Sequence, residues 1–146
     1  IAYSGVLSDS VTGTTALATL REVNLPFKYI GKNGIIRFYL ASENTNNANG
    51  KVIHVYLTDG TTSFKVYDTT TTTTGRAVSK SILADGTEYK FWSSAVTALS
   101  DSSTSNPIYQ LLAPTTVLKL RVAGQLGNSA DTVSLTRLSI QILPSF

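Results

Sequence analysis

The chain has 146 residues, a length that suits one domain with a single hydrophobic core. Charged residues make up only 14% of it and the net charge of +3 comes from scattered basic residues, which excludes a concentrated nucleic-acid-binding patch. Cysteine is absent, which excludes disulfides and thiolate sites, and no apolar run approaches the ~20 residues of a membrane helix. We therefore expect one domain over residues 1–146.

The first 25 residues contain one uncertain segment and one strand. Residues 1–13 fit either an N-terminal arm or an edge strand. In residues 14–25, Leu17, Leu20 and Val23 recur at three-residue steps, as in a helical turn, but the same segment also alternates as a strand does. We favour the strand, because Thr and Val are frequent there and Pro26 follows at once.

A hairpin is predicted next. Residues 27–30 form a short strand, Asn33-Gly34 is a strong two-residue turn signal, and residues 35–40 form the return strand. The Asn-rich segment over residues 42–50 has nothing apolar to bury, so we expect a surface loop.

The clearest hairpin covers residues 51–67. Ile53, Val55 and Leu57 share one face of its first strand, and Asp59-Gly60 marks the turn. Residues 69–74 are six consecutive threonines. They fit either a solvated connection or an exposed edge strand that pairs with a neighbouring subunit.

Three more strands are predicted over residues 76–83, 89–92 and 108–112. The Ser-rich segment between the last two is irregular, with room for one helical turn at residues 95–99.

The closing segment, residues 116–143, has the strongest pattern. Leu118, Leu120 and Val122 alternate with polar residues, which indicates a strand with one buried face. In the second half of this closing hairpin the apolar residues change parity at Thr136-Arg137, so we expect a bulge there, of the kind that lets a strand pass from one sheet to another.

Eight or nine such strands separated by turn residues predict an all-β fold. The expected architecture is an antiparallel β-sandwich of jelly-roll type, with a barrel as the alternative.

Catalytic groups are sparse. His54 is the only histidine and is expected to be half-exposed, without a second base or ligand nearby. Asp85 and Glu88 are close enough in sequence to form a carboxylate pair, yet two acids around a turn are ordinary turn chemistry. Calcium would suit such loops, but the Asn-rich loop has only Glu43 as a carboxylate. We expect no enzyme activity, no metal and no cofactor.

Binding surfaces are better supported. Tyr39, Tyr56 and Tyr67 all have the parity opposite to the aliphatic residues of their strands, so one outer face is expected to carry them if the strands are neighbours. Trp92 fits either the core or an exposed sugar-stacking position. The candidate interface or ligand residues are Tyr39, His54, Tyr56, Lys65, Tyr67 and Trp92.

The closing hairpin with its parity change, set in a Thr-, Ser- and Asn-rich body without cysteine, resembles jelly-roll virion proteins such as phage capsid decoration proteins and head- or tail-fibre domains. It is also similar to the last strands of galactose-binding-like carbohydrate modules. The first resemblance implies a structural protein of the virion that self-associates, with a trimer favoured, and docks on a major capsid or other virion protein. The alternative is a secreted carbohydrate- or host-receptor-binding module. Nucleic acid and membranes are not expected partners.

Overall fold

The computed structural model describes residues 3–86, 89–101, 106–114 and 117–144. Ten strands and one short helix form this part of the chain. The helix α1 spans Phe27–Ile30. The strands are β1 (Tyr3–Thr12), β2 (Ala18–Asn24), β3 (Ile35–Asn44), β4 (Lys51–Thr58), β5 (Ser63–Thr71), β6 (Gly75–Asp85), β7 (Lys90–Ser93), β8 (Ile108–Leu111), β9 (Lys119–Leu126) and β10 (Thr132–Leu143). No helix among the described residues has the length and apolarity to cross a membrane.

The strands form two antiparallel sheets. Sheet A has the order β1-β10-β3-β6-β7-β8, and sheet B has the order β2-β9-β4-β5. Eight strands pair in a nested series: β1 with β10, β2 with β9, β3 with β6, and β4 with β5. This is a long antiparallel ribbon rolled up so that successive pairs belong to opposite sheets, which is the winding of a jelly roll. The predicted all-β antiparallel sandwich of jelly-roll type is confirmed, with ten strands instead of eight or nine.

The core lies between the two sheets and is built by alternation along each strand. Ile36, Phe38 and Leu40 of β3 are at most 1% exposed, and Leu120 and Val122 of β9 face them from sheet B with no exposure. Burying side chains of this size contributes about 1.5–3 kcal/mol each. The apolar faces predicted for these strands are the buried ones.

The parity change in β10 is a bulge, as predicted. Leu135 pairs with Ser42 and Arg137 pairs with Ala41, which leaves Thr136 as the extra residue. Its hydroxyl donates a hydrogen bond of 3.1 Å to the Ala41 carbonyl oxygen. The bulge keeps both apolar stretches of β10 turned toward the core.

Two expectations about this closing segment were wrong. The strand does not pass from one sheet to another, because β10 pairs with β3 on both sides of the bulge. The segment is also not a hairpin, because β9 belongs to sheet B and β10 to sheet A. Each strand has one strongly apolar face. Opposite sheets let the two faces meet across the core, whereas a hairpin would place them side by side.

The strand and hairpin predicted around residues 27–40 were also wrong in part. Residues 27–30 form α1, a single turn in which the Tyr29 and Ile30 amides donate to the Pro26 carbonyl oxygen at 2.8 and 3.2 Å. The helical turn lets the chain pass from sheet B to sheet A while it buries Ile30, which is 1% exposed. Asn33-Gly34 therefore leads from α1 into β3 and closes no hairpin.

The hairpin of β4 and β5 is present as predicted. At its turn, Asp59 Oδ1 accepts hydrogen bonds from the amides of Thr61 and Thr62 at 2.8 and 2.7 Å. Strand β5 is an edge strand of sheet B and continues to Thr71. The six-threonine run thus divides: its first three residues extend this edge, and residues 72–74 connect it to β6.

No helical turn forms at residues 95–99. A single hydrogen bond of 2.9 Å from the Ala98 amide to the Ala95 carbonyl oxygen closes a tight turn there. The Ser79 amide then donates to the Leu99 carbonyl oxygen at 3.0 Å, which fastens the segment to β6. Pairing with this strand replaces the internal bonds that a helical turn would need.

Candidate docking surface

The outer face of sheet A carries a row of large apolar side chains, which we call the apolar row. Cross-strand pairing aligns its members, one from each of five neighbouring strands: Leu143, Ile35, Leu83, Trp92 and Tyr109. Leu83 is 46% exposed and Tyr109 is 54% exposed. With neighbouring strands about 4.8 Å apart, the row is on the order of 19 Å long. A contiguous apolar surface of this kind marks an interaction site more often than a solvated sheet face.

Aromatic rings dominate the β7–β8 end of the row. The ring centroids of Trp92 and Tyr109 are 4.8 Å apart and the rings are tilted by 42°. The Lys90 ammonium lies over both rings, 4.6 Å from the Trp92 centroid and 4.2 Å from that of Tyr109. Trp92 also donates from Nε1 to Asp85 Oδ2 at 3.1 Å. These contacts hold the indole in place, and Leu111, 48% exposed, widens the apolar surface beside it.

A groove of about 400 Å³ borders the row on the side away from Lys90. Trp92 and Leu83 form its apolar wall, and Arg37, Ser81 and Asp101 supply polar groups. The Asp101 carboxylate accepts hydrogen bonds from the Ser81 amide and hydroxyl, both 2.8 Å long. The guanidinium group of Arg37 is exposed beside it.

Trp92 is thus on the outer face and only partly buried, so the core alternative considered from the sequence was wrong, and sugar stacking stays a prediction. The core side of β7 is instead filled by Phe91, which is 2% exposed.

The tyrosines do not share one face, contrary to the expectation. Tyr39 lies on the outer face of sheet A, two residues from Arg37 along β3, and is 42% exposed. Tyr56 lies on sheet B. Tyr67 is 1% exposed, because Val55 pairs with Tyr67 while Tyr56 pairs with Lys65, and this bulge turns Tyr67 inward.

The outer face of sheet B carries a compact polar group around Tyr56. The Lys65 ammonium is 5.8 Å and the Arg121 guanidinium 5.6 Å from the Tyr56 ring centroid, so two cations flank the ring. The imidazole of His54 stacks on the same ring at 6.0 Å. Lys65 is also tied to Asp68 by a 2.9 Å ion pair. These residues satisfy one another, which makes this face a poorer candidate for docking than the apolar row.

His54 was expected to be half-exposed, but it is only 7% exposed. Neighbouring side chains on the outer face cover it, and its Nδ1 lies 3.3 Å from Asp68 Oδ2. Burial lowers the pKa of His54, while the negative charge of Asp68 opposes that shift. The expectation that no base or ligand lies near His54 was therefore wrong, since the Asp68 carboxylate lies beside it.

A buried network links the Asn-rich loop to the β9–β10 loop. The Asp131 carboxylate is 3% exposed and accepts hydrogen bonds from Asn47 Nδ2 at 2.7 Å and Asn49 Nδ2 at 3.0 Å. Lys51, with no exposure, places its ammonium 3.9 Å from Asp131 Oδ2 and also donates to Asn47 Oδ1. The hydrogen bond from Asn47 is the main cause that lowers the pKa of Asp131, and the hydrogen bond from Asn49 and the charge of Lys51 add to it. The Asn-rich loop therefore has a second carboxylate beside it, that of Asp131, which comes from a distant part of the sequence. The Lys51 ammonium group lies next to this carboxylate.

Lys80 is a second buried lysine, 1% exposed, that sequence analysis missed. Its ammonium donates to the carbonyl oxygens of Val66, Ser94 and Ala95, the last at 3.0 Å. It thereby joins the segment after β7 to the middle of β5. Burial lowers the pKa of Lys80 to about 8, despite the opposing charge of Asp101. Lys80 has the same parity along β6 as the apolar residues Val78 and Ile82, and this pattern could have predicted its burial.

The acid pair considered from the sequence is only partly visible, because Glu88 lies outside the described residues. Asp85 binds the indole of Trp92. Within the described ranges, no cluster of three His, Cys, Asp or Glu side chains is arranged to hold a metal ion.

Comparisons with known proteins give distant structural similarity alone. No family model and no curated protein matches the chain. The chain is similar to a chain in the structure of the Gx strain of infectious bursal disease virus, with a TM-score of 0.46, 12% identity, and coverage of 97% of this chain and 31% of that chain. For the Gt strain the values are 0.38, 11%, 97% and 30%. The chain therefore spans less than one third of the length of either viral chain.

Proposed function

We propose that this protein is a non-enzymatic structural protein of a virion, a capsid decoration or fibre domain that self-associates and docks on a larger particle. The apolar row carries the proposal. In the isolated chain, these five aligned residues turn apolar surface toward solvent on an outer sheet face. An interface between proteins would bury that surface. Viral capsid domains are among the proteins that use the jelly-roll fold.

The proposed mechanism is adhesion. Leu83, Tyr109 and Leu111 are each about half exposed, so covering each would contribute on the order of 1 kcal/mol before the cost of association. Trp92 and Tyr109 would act as rigid anchors, because Lys90 and Asp85 already hold the indole. The major capsid protein or another virion protein is the expected partner, with a homotrimer as the expected assembly.

The experiment measures mass in solution by sedimentation velocity over a concentration series. We expect the protein to associate beyond its 15.6 kDa monomer and the Leu83→Ser/Tyr109→Ser variant to remain monomeric. Leu17→Ser is the matched control, since Leu17 is 39% exposed and precedes β2, at a distance in sequence from every strand of the row. A wild-type protein that stays monomeric and binds no particle would refute the proposal. Equal loss of association in both variants would place the contact elsewhere.

A second candidate function is binding of a carbohydrate or a host receptor glycan. The groove beside Trp92 favours it, because an aromatic wall with Arg37 and Asp101 nearby is the arrangement that stacks a sugar ring and binds its hydroxyl groups. A glycan array would distinguish the two functions. Glycan binding by the wild-type protein that is lost in Trp92→Ala would support the carbohydrate-binding function. If the wild-type protein binds no glycan on the array, this second function is refuted.

A further inference from the structure

A second cavity, of about 470 Å³, lies next to the apolar row but shares no lining residue with it. Helix α1 forms one wall, and the ends of β6 and β7 form the other. Its apolar surface comes from Phe27, Ile30, Ala84 and Phe91. Ile30 and Phe91 are 1% and 2% exposed and belong to the core, so this surface is anchored in the rigid part of the fold. The volume lies within the range of small-molecule sites.

Two hydrogen bonds donated by backbone amides hold the two walls at a fixed separation. The Ala84 amide donates to the Gly34 carbonyl oxygen at 2.9 Å, and the Gly86 amide donates to Asn33 Oδ1 at 3.0 Å. Gly34 also packs directly on α1, where a Cβ atom would lie 2.1 Å from the Ile30 carbonyl oxygen. The cavity is therefore formed before any ligand arrives, which lowers the entropic cost of binding.

The rim contains a strained residue. Tyr89 lines the cavity and has φ of 53°, the left-handed region that non-glycine residues seldom occupy. A hydrogen bond of 3.2 Å from the Leu112 amide to the Tyr89 carbonyl oxygen holds it there. Strain of this kind persists where the surrounding structure imposes it, and it concentrates at ligand sites.

The charges at the opening are mainly positive. Lys28 and Lys32 both line the cavity and both are exposed. The one described acid there, Asp85, has a carboxylate oxygen engaged by the indole of Trp92 at 3.1 Å. An apolar interior below two ammonium groups is complementary to a molecule with an apolar body and a single anionic end.

We propose that this cavity binds an amphipathic carboxylate, with its hydrocarbon part against Phe27 and Phe91 and its carboxylate between Lys28 and Lys32. The site is separate from the apolar row and does not depend on the proposed function. A medium-chain fatty acid has about a dozen non-hydrogen atoms, which the cavity accommodates without rearrangement of its walls.

Titration calorimetry and amide chemical shifts with decanoate test the proposal, with decanol as the neutral analogue. We expect decanoate to perturb residues 27–32 and 84–91. The Lys28→Gln/Lys32→Gln variant should bind decanoate about tenfold more weakly, while decanol should bind both proteins alike. Both lysines are exposed, so this variant is expected to fold. Lys65→Gln/Lys119→Gln removes the same charge from sheet B and should leave decanoate binding unchanged.

Two outcomes would overturn the proposal. Equal decanoate affinity in the wild-type protein and the Lys28→Gln/Lys32→Gln variant would show that these ammonium groups do not recognise the carboxylate. Shift changes confined to the apolar row would show adsorption to the exposed face. Ala84→Leu, which places a larger side chain in the cavity, should abolish binding of both ligands, and retained binding would likewise refute the assignment.

Discussion

The buried ammonium of Lys80 predicts an unusual dependence of stability on pH. Its pKa falls from 10.5 to about 8 because the folded protein removes it from water. Between these two values the unfolded chain holds the proton and the folded chain has released it, so stability rises with pH through this window. From pH 7 to about pH 9.5, the gain is on the order of 2 kcal/mol.

The test compares the wild-type protein with Lys80→Met, which keeps the length of the side chain and removes the charge. Urea denaturation at both pH values, followed by far-ultraviolet circular dichroism, gives the free energy of unfolding of each protein. Other lysines and the tyrosines titrate in both proteins, so the difference between the two isolates Lys80. We expect the wild-type protein to gain about 2 kcal/mol relative to Lys80→Met as the pH rises.

A parallel response of both proteins would refute the reasoning. It would show that the carbonyl oxygens of Val66, Ser94 and Ala95 replace water well enough to keep the pKa of Lys80 near its ordinary value. A relative loss of stability would reverse the sign and show that the charged form is preferred in the folded protein.

Three further predictions concern the fold. Deleting Thr136 should leave a folded protein with a dispersed amide spectrum, because removal of the extra bulge residue restores regular alternation and the apolar residues on both sides still face the core. Deleting Ser139 should instead abolish folding, because Ile140 and Ile142 would turn to the outer face. Asp131→Asn should destabilise the protein in thermal denaturation by leaving Lys51 buried beside a neutral partner. The difference from wild type should shrink as the pH falls below the ordinary carboxyl pKa and vanish only below the lowered pKa of the folded state. Gly34→Ala should cost about 1–3 kcal/mol in chemical denaturation, because its Cβ would meet the Ile30 backbone; unchanged stability would show that α1 can move.

The sequence was sufficient to locate a strand wherever one face of that strand is buried. Alternation located β3, β4 and β9, and a change of parity located the bulge at Thr136, because each pattern reports burial directly. It was insufficient for α1, since four residues are too few to show a helical period. The sequence pattern also did not reveal the bulge that turns Tyr67 inward. Val66 and Tyr67 are both hydrophobic, so alternation could not show that both are buried.

The candidate surface was harder to foresee than the fold. Trp92 was recognised as a candidate, but its neighbours in the apolar row come from strands widely separated in sequence. Their alignment depends on the strand order β10-β3-β6-β7-β8, which no local pattern encodes. The network of Asp131 with Asn47 and Lys51 was hidden for the same reason, since its two loops are joined only by the folded topology.

The nested pairing has a consequence for how the protein acquires its shape. Strands β4 and β5 are neighbours in sequence, whereas Tyr3 pairs with Ile140 near the other end of the chain. Closing short loops before long ones loses the least conformational entropy. We therefore expect the strand pairs to form in order, from the β4–β5 hairpin outward to the β1–β10 pair. On the ribosome, β1 would remain without a partner until β10 had emerged. During that interval its free edge would be open to pairing with another nascent molecule.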